Sequence, residues 1–208
     1  MLKAIVVDDH PFIRSSVKML LKQEQFEVVA EADNGADAVQ LAREHAPDLI
    51  ILDIAMPKLD GLEVISRISA LGLSSKVLVL TSQSALFYSM RCMKAGAAGY
   101  ISKTNDLDEL IKAIKAVMDG YTFFPNLATS SVRRSDVDAN DLELIQSLSD
   151  RELAILQQLS NGLSNKEIGE AMLLSNKTVS TYKTRLIEKL KVKSVVYLAD
   201  FAKRNNLV

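Results

Sequence analysis

Five polar side chains follow the short apolar segments in the first half of the sequence. They are Asp8 and Asp9 after the first segment, Asp53 after the third, Thr81 after the fourth and Lys103 after the fifth. Carboxylates brought close together repel one another, and a hard divalent cation relieves that repulsion. Oxygen-only ligands favour Mg²⁺ over Zn²⁺, so the three acids predict a magnesium site if the fold brings them together.

A carboxylate beside Mg²⁺ can attack a phosphoryl group and become an aspartyl phosphate. Lys103 would supply a positive charge for one phosphoryl oxygen, and Thr81 could donate a hydrogen bond to another. Each residue alone has an ordinary structural interpretation: the paired acids as helix caps, Asp53 as a turn residue, and the lysine as a solvated side chain. Their shared position after successive strands favours the phosphoryl chemistry.

The elements that must position these residues alternate along residues 1–120. Strands are predicted at 2–7, 28–30, 49–52, 77–80 and 100–101, and helices at 12–21, 36–46, 62–71, 85–95 and 107–118. Five βα repeats with continuously apolar strands predict an α/β domain, a parallel sheet with helices on both faces. Such sheets bind ligands at the carboxyl ends of their strands, so the five polar residues should meet there.

Residues 121–146 interrupt this alternation. Within them, 129–140 are rich in Ser, Asp and Arg and have no apolar periodicity, which predicts a flexible linker. From residue 147 the pattern is helical. The predicted organisation is a domain over 1–120, a linker over 121–146 and an all-α domain of four helices over 147–208.

The all-α segment is basic, because residues 144–208 contain ten Lys and Arg against six Asp and Glu. Ser149 with Glu152 predicts a capping box, and Ser164 and Ser175 are predicted to begin two further helices. The helix predicted from 176 to about 191 has one apolar face. That face consists of Val179, Tyr182, Leu186 and Leu190.

The other face of this helix is polar, and two helices joined by a tight turn describe a helix-turn-helix motif. The residues predicted to contact DNA are Asn176, Lys177, Thr178, Ser180, Thr181, Lys183, Thr184 and Arg185. Ser and Thr can reach base edges, and Lys and Arg can hold phosphates. A helical bundle with an ordinary solvated face remains the alternative.

Four motifs in residues 1–120, VVDDH at 6–10, LDIAMPKLDG at 52–61, LTS at 80–82 and GAAGYISK at 96–103, resemble the receiver domain of two-component response regulators. The resemblance implies a flavodoxin-like (CheY-like) fold, with Asp53 as the phosphoacceptor. It implies Mg²⁺ bound by Asp8, Asp9, Asp53 and the backbone carbonyl of Ala55, a switch pair of Thr81 and Tyr100, and Lys103 as the phosphate-binding lysine. Ser82 stands where the family often has Ala or Gly, so the phosphoryl lifetime is expected to differ.

The motifs LSDRE at 148–152, GLSNKEI at 162–168 and SNKTVSTY at 175–182 resemble the LuxR-type helix-turn-helix, and with the receiver they indicate the NarL/FixJ class. GYTFFP at 120–125 and FAKRNN at 201–206 resemble the BvgA/EvgA group. That likeness implies a hybrid sensor histidine kinase or its phosphotransfer domain, promoter DNA and RNA polymerase as partners, and activation of transcription. It also implies a homodimer through Val195, Leu198 and Ala199, unless the last helix only caps the bundle.

Other classes of function receive less support. The sequence has no glycine-rich nucleotide-binding motif, and its two histidines, His10 and His45, are too far apart to suggest zinc. Ala55 stands where a phosphohydrolase would need a second acid, so no enzymatic activity is expected beyond the receiver's own phosphotransfer and dephosphorylation; a metal-dependent phosphohydrolase and a protein-binding adaptor are the alternatives. The single Cys92 and the lack of an apolar run of about 20 residues predict a cytoplasmic protein without a membrane partner.

Overall fold

The computed structural model describes residues 1–56, 60–125 and 139–208, and the chain divides into two compact units, Met1–Leu127 and Ala128–Val208. Two segments lie outside the described residues. They are Pro57, Lys58 and Leu59 of the motif at 52–61, and residues 126–138 of the predicted linker. Within the described ranges, no helix combines the length and the hydropathy needed to cross a bilayer.

The N-terminal unit is a five-stranded parallel sheet in the order β2-β1-β3-β4-β5. Its strands are β1 (Leu2–Val7), β2 (Phe26–Ala32), β3 (Leu49–Leu52), β4 (Lys76–Thr81) and β5 (Gly99–Ser102). Its helices are α1 (Pro11–Gln23), α2 (Gly35–His45), α3 (Gly61–Ala70), α4 (Ala85–Ala95) and α5 (Leu107–Met118). The prediction of a parallel sheet made of five βα repeats is therefore confirmed.

The central strands are continuously apolar because helices cover both faces of the sheet. All four residues of β3 are buried, and Ala4 and Val6 of β1 pack in one core cluster with Val17 of α1 and Ile114 of α5. Helices α2, α3 and α4 pack against one another in series. Because all the strand pairings are parallel, the carboxyl ends of the strands lie at one edge of the sheet.

The C-terminal unit is helical over its described residues. It contains α6 (Ala139–Gln146), α7 (Asp150–Ser160), α8 (Asn165–Met172), α9 (Asn176–Lys189) and α10 (Val195–Arg204). The predicted capping box of Ser149 with Glu152 forms on α7, and Ser164 and Ser175 cap α8 and α9 as predicted, with Ser164 forming a second capping box with Glu167. Helix α7 packs against α8, α9 and α10, so the four predicted helices are confirmed.

One part of the linker prediction is wrong, because residues 139–146 form helix α6. Ile145 is completely buried, and Asp141 accepts hydrogen bonds from Arg204 Nε at 2.9 Å and Asn205 Nδ2 at 3.0 Å. These partners lie more than 60 residues away in the sequence. Helix α6 is short and has a weak periodicity of its own, so its tertiary contacts stabilise it and local sequence could not reveal it.

Candidate functional site

The three predicted acids meet at the carboxyl edge of the sheet. Asp8 follows β1 and Asp53 follows β3, and both are almost completely buried, whereas the Asp9 side chain is about one third exposed. Ligand atoms of these carboxylates and of the His10 imidazole all lie within 4.8 Å of one another. The convergence that the strand pattern predicted is therefore present.

Lys103 bridges two of these acids. Its Nζ lies 2.6 Å from Asp53 Oδ2 and 2.7 Å from Asp8 Oδ2. Burial lowers the pKa of the Lys103 ammonium, but its hydrogen bonds to Asp53 and Asp8 outweigh burial and hold the pKa above the ordinary value of 10.5. The lysine is thus a permanent cation that offsets the repulsion between two buried carboxylates.

Backbone contacts orient the Asp53 carboxylate. The N–H of Ala55 donates to Asp53 Oδ1 at 2.9 Å, so Lys103 and Ala55 contact different oxygens of the same carboxylate. The Asp53 N–H donates to the Val7 carbonyl at 2.8 Å, which connects the end of β3 to the end of β1. Such contacts hold one rotamer, as an attack by one carboxylate oxygen requires.

Thr81 and Tyr100 are connected through Gln83, a residue that the sequence interpretation did not single out. The Gln83 N–H donates to Thr81 Oγ1 at 3.3 Å, and the Tyr100 hydroxyl donates to the Gln83 carbonyl at 2.6 Å. Both Thr81 and Tyr100 are buried. Burial raises the pKa of the Tyr100 hydroxyl far above its usual range, with Cys92 and Asp53 acting in the same direction, so this group stays a donor.

The donor set at this edge suits a hard divalent cation. Three carboxylates supply oxygen ligands, which is the chemistry that Mg²⁺ prefers. The alternative that Asp8 and Asp9 cap a helix is not supported, because the N-cap of α1 is His10 and no side chain caps that helix. Asp8 instead accepts the N–H of His10 at 2.8 Å through Oδ1.

Two neighbours of the site were missed by the sequence interpretation. His10 Nδ1 lies 2.8 Å from Asp9 Oδ1, and Arg14 Nη1 donates to the Asp8 carbonyl at 2.6 Å. Their position within one helical turn of the acidic pair was the available signal. The His10 side chain is exposed.

The second candidate surface is the helix-turn-helix of α8 and α9. Leu173 ends α8 in the left-handed conformation, and the Leu174 N–H returns to the Gly169 carbonyl at 2.7 Å. A Cβ at Gly169 would lie 2.6 Å from the Leu174 carbonyl oxygen, so only glycine permits this close approach. Val179 and Leu186 are fully buried, and they anchor α9 against the rest of the unit.

Most residues predicted to contact DNA form an exposed face of α9. Asn176, Lys177, Ser180, Thr181, Thr184 and Arg185 are exposed, and Thr178 and Lys183 are half-buried. The hydroxyls of Thr181 and Thr184 donate to carbonyls of their own helix, those of Lys177 and Ser180. Tyr182, predicted as core, is also half-buried, and Arg185 lies 5.8 Å from its ring centroid.

The predicted dimerisation residues separate into two groups. Val195 and Ala199 are half-buried on α10, but Leu198 is fully buried within the C-terminal unit. Its assignment to a dimer surface is therefore wrong, because every third or fourth residue of an amphipathic helix turns toward the core. The exposed apolar residues of this helix are Val196 and Tyr197.

Comparison with known proteins places both units. Residues 4–115 match the response regulator receiver domain, and residues 146–202 match the bacterial regulatory proteins of the luxR family. The chain is 53% identical over 205 residues to the virulence-factor transcription regulator BvgA of Bordetella pertussis, covering 99% of this chain and 98% of that protein. It is 35% identical over 206 residues to the DNA-binding transcriptional activator EvgA of Escherichia coli, covering 99% and 100%.

A solved structure of the RcsB response regulator of Salmonella typhimurium matches with a TM-score of 0.74 at 25% identity, covering 97% of this chain and 96% of that one. The sequence motifs, the sheet order and both matched domains indicate the same family. The chain therefore belongs to the two-component response regulators that join a receiver domain to a LuxR-family DNA-binding domain.

Proposed function

We propose that this response regulator is a phosphorylation-controlled transcription factor that accepts a phosphoryl group on Asp53. The observation that carries the proposal is the buried cluster in which Lys103 contacts both Asp53 and Asp8. A buried nucleophilic carboxylate with a permanent cation at 2.6 Å and further acids nearby is suited to phosphoryl chemistry.

In this mechanism Asp8, Asp9, Asp53 and the backbone carbonyl of Ala55 would hold Mg²⁺, which supplies positive charge to the transferring phosphoryl oxygens. An Asp53 oxygen attacks phosphorus, an O–P bond forms, and the bond from phosphorus to the donor histidine nitrogen breaks. Lys103 then exchanges its contact with the carboxylate for one with a phosphoryl oxygen. Thr81 then donates a hydrogen bond from its hydroxyl to a second phosphoryl oxygen, and Tyr100 responds to the movement of Thr81. Water later releases the phosphate, and no other enzymatic activity is proposed.

The DNA-binding part of the proposal assigns the exposed face of α9 to the major groove. Lys177, Lys183 and Arg185 would neutralise phosphates, while Ser180, Thr181 and Thr184 would approach base edges. Two of these hydroxyls donate to carbonyls of their own helix, so they would have to rotate before they could donate to a base edge.

A homodimer would place two such helices on an inverted repeat, because a two-fold protein matches a two-fold site. Ser180 and Thr184 carry no charge, so a single unit is expected to bind weakly and to depend on its partner copy. Half-buried Val195 and Ala199 remain the proposed contacts. The proposed partners are a hybrid sensor histidine kinase or its phosphotransfer domain, promoter DNA and RNA polymerase, with the chain acting in the cytoplasm as an activator.

The test uses the full chain and its Asp53→Asn variant. Each is incubated with acetyl phosphate and Mg²⁺, the phosphorylated fraction is measured on a phosphate-affinity gel, and binding is titrated on a duplex selected from a random library with the treated wild-type chain. The wild-type chain should show a shifted band and tighter binding after treatment, and Asp53→Asn should show neither. The Asp108→Asn variant, which alters an exposed acid of α5, is the matched control.

If treated Asp53→Asn binds the duplex as tightly as treated wild type, phosphorylation of Asp53 does not control binding. A metal-dependent phosphohydrolase would instead release phosphate continuously from small phosphoesters. An adaptor would show no steep dependence of duplex binding on salt concentration.

A further inference from the structure

The chain turns back on the sheet after α5. Asp119 and Gly120 end that helix, with the Gly120 N–H donating to the Val117 carbonyl at 3.1 Å and the Tyr121 N–H to the Ala116 carbonyl at 2.9 Å. This paired arrangement is the Schellman motif, which reverses the chain direction. The five residues that follow, 121–125, are called the strap below.

The strap pairs with β5 at its free edge. The Tyr100 N–H donates to the Phe123 carbonyl at 2.7 Å, and the Phe123 N–H donates to the Ala98 carbonyl at 3.0 Å. These two bonds form a parallel bridge between Gly99 and Phe123. The side chain of Phe123 also packs against the core cluster shared by α1 and α5. The strap is thus held by its backbone and by one aromatic anchor.

Gly99 is required for this approach. A Cβ at residue 99 would lie 2.9 Å from the Phe123 carbonyl oxygen and 2.7 Å from a methyl carbon of Leu78. Covering an open sheet edge is a sufficient structural reason for such a strap. The position of its hydrogen bonds gives a second reason, because one of them is made by the residue proposed as the aromatic switch.

Tyr100 is held at both ends. Its hydroxyl donates to the Gln83 carbonyl at 2.6 Å, and Gln83 in turn donates its N–H to Thr81 Oγ1. Its backbone N–H is bonded to the Phe123 carbonyl. Three hydrogen bonds, joined through the covalent structure of Gln83 and Tyr100, therefore connect Thr81 to Phe123.

We propose that Phe123 is a positioning residue for Tyr100, and that the strap relays the state of Thr81 to the segment leading toward the DNA-binding unit. This inference rests on the proposed function, in which Thr81 and Tyr100 respond to phosphorylation. A movement of Thr81 alters its bond to Gln83, which changes the support of the Tyr100 hydroxyl. Any shift of Tyr100 along β5 then displaces Phe123, two residues before the receiver's described part ends at Pro125.

A strap that relays the state of Thr81 and a strap that only covers the sheet edge predict different effects of substitution. If the strap only covers the sheet edge, substituting its anchor should lower stability and phosphorylation together. If it is a relay, the substitution should weaken the response to phosphorylation without affecting the acidic site. Phe123→Ala removes the aromatic anchor and leaves Asp53, Lys103 and Thr81 in place. Phe123→Leu keeps an apolar anchor, and Tyr121→Ala alters a strap side chain that is 71% exposed.

The experiment compares the full-length wild-type chain with these three variants. Phosphorylated fraction is measured on a phosphate-affinity gel after acetyl phosphate and Mg²⁺, and affinity for the selected duplex is measured before and after that treatment. Hydrogen exchange at the Tyr100 amide is followed in the untreated chains. A coupling of typical size would make treated wild type bind about tenfold more tightly than untreated wild type.

We expect Phe123→Ala to be phosphorylated like wild type while the treated-to-untreated affinity ratio falls to about threefold or less. Its Tyr100 amide should exchange about tenfold faster, because the strap bond opens more often. Phe123→Leu should restore most of the ratio, and Tyr121→Ala should behave like wild type.

An affinity ratio in Phe123→Ala equal to that of wild type overturns the relay. A loss of phosphorylation that parallels the loss of binding also overturns it, because the residue would then act only on stability. A wild-type chain that takes no phosphoryl group, or binds DNA equally in both states, overturns the proposed function and the relay with it. The wild-type chain alone therefore shows whether the proposed function has failed. The relay fails by itself only when the wild-type chain is phosphorylated and then binds DNA more tightly.

Discussion

In the N-terminal unit most of the polar side chains assigned to chemistry are buried, whereas in the C-terminal unit most of those assigned to DNA face solvent. Asp8, Asp53 and Thr81 are at most 2% exposed, while Lys177, Ser180 and Arg185 are all exposed. Both groups lie at the ends or on the outer face of regular elements. The difference is in how much of each side chain the surrounding residues have removed from water.

This contrast follows from what each surface must do. Charges in a buried site interact strongly and keep one geometry, so a carboxylate there can be aimed at a phosphorus atom. A surface that meets a polyanion must exchange counterions and water, and it gains from mobile side chains. The first unit therefore depends on ion pairs within its own site, and the second on helix caps and packing behind an open face.

Removing the buried cation should give the largest effect. In Lys103→Met, Asp8 and Asp53 remain buried without the ammonium group that contacts both. We expect the free energy of unfolding in EDTA to fall by about 3 kcal/mol, and millimolar Mg²⁺ to recover part of it. Urea denaturation followed by circular dichroism measures both values.

Lys112→Met, at an exposed position of α5, is the matched control and should change little. Equal stability of the two variants in EDTA would show that the buried network adds nothing to folding, and the contrast between the units would lose its energetic basis.

A methyl group added at Gly169, which packs against the turn between α8 and α9, should have the next largest effect. In Gly169→Ala the new methyl carbon would lie 2.6 Å from the Leu174 carbonyl oxygen. The atoms nearest to it all belong to the backbone, so they cannot move away as a flexible side chain could. We expect a loss of about 2 kcal/mol from the stability of this unit, accompanied by weaker duplex binding. Thermal denaturation and a binding titration test this, with Glu170→Ala on the same helix as the control. If DNA affinity stays unchanged despite the loss of stability, the turn does not set the orientation of α9.

A change on the open face should affect binding but not folding. Arg185→Ala is expected to weaken duplex binding about tenfold, with an unchanged denaturation midpoint. The slope of log affinity against log salt should fall by about 0.9, as for one lost phosphate contact. Titration at several salt concentrations measures both, with Lys112→Ala as a control of equal charge change. A lowered midpoint without a changed slope would make Arg185 structural.

The smallest effect is expected at the capping box of α7, where the second unit does bury a charge. Burial raises the pKa of Glu152, but the hydrogen bonds from Lys189 and Ser149 lower it by more than burial raises it. The pKa in the folded chain therefore lies below the ordinary value of 4.5. The stabilisation is thus present above pH 4.5 and disappears as the pH falls through the folded pKa.

Glu152→Gln should therefore cost about 1 kcal/mol at pH 7 and reduce the loss of stability on acidification. Urea denaturation at pH 7 and at acidic pH tests this, and Glu143→Gln at an exposed position of α6 is the control. A wild-type and a Glu152→Gln chain with parallel pH profiles would remove the buried charge as a source of stability.

The sequence by itself determined the order of the elements and the composition of the acidic site. Five apolar runs, four of them followed by a characteristic polar residue, predicted the sheet and the positions of Asp8, Asp53 and Lys103. Cap patterns such as Ser149 with Glu152 predicted the helix starts in the second unit. These features depend on residues close together in the chain, where period and spacing are visible directly.

Only the tertiary structure decided which distant residues meet. It connected Thr81 to Tyr100 through Gln83, joined Asp141 of α6 to Arg204, and placed Phe123 against β5. It also assigned Leu198 to the core rather than to a dimer surface. The reason is that local pattern defines the face that an element buries, whereas the partner it buries against depends on the packing of the whole unit.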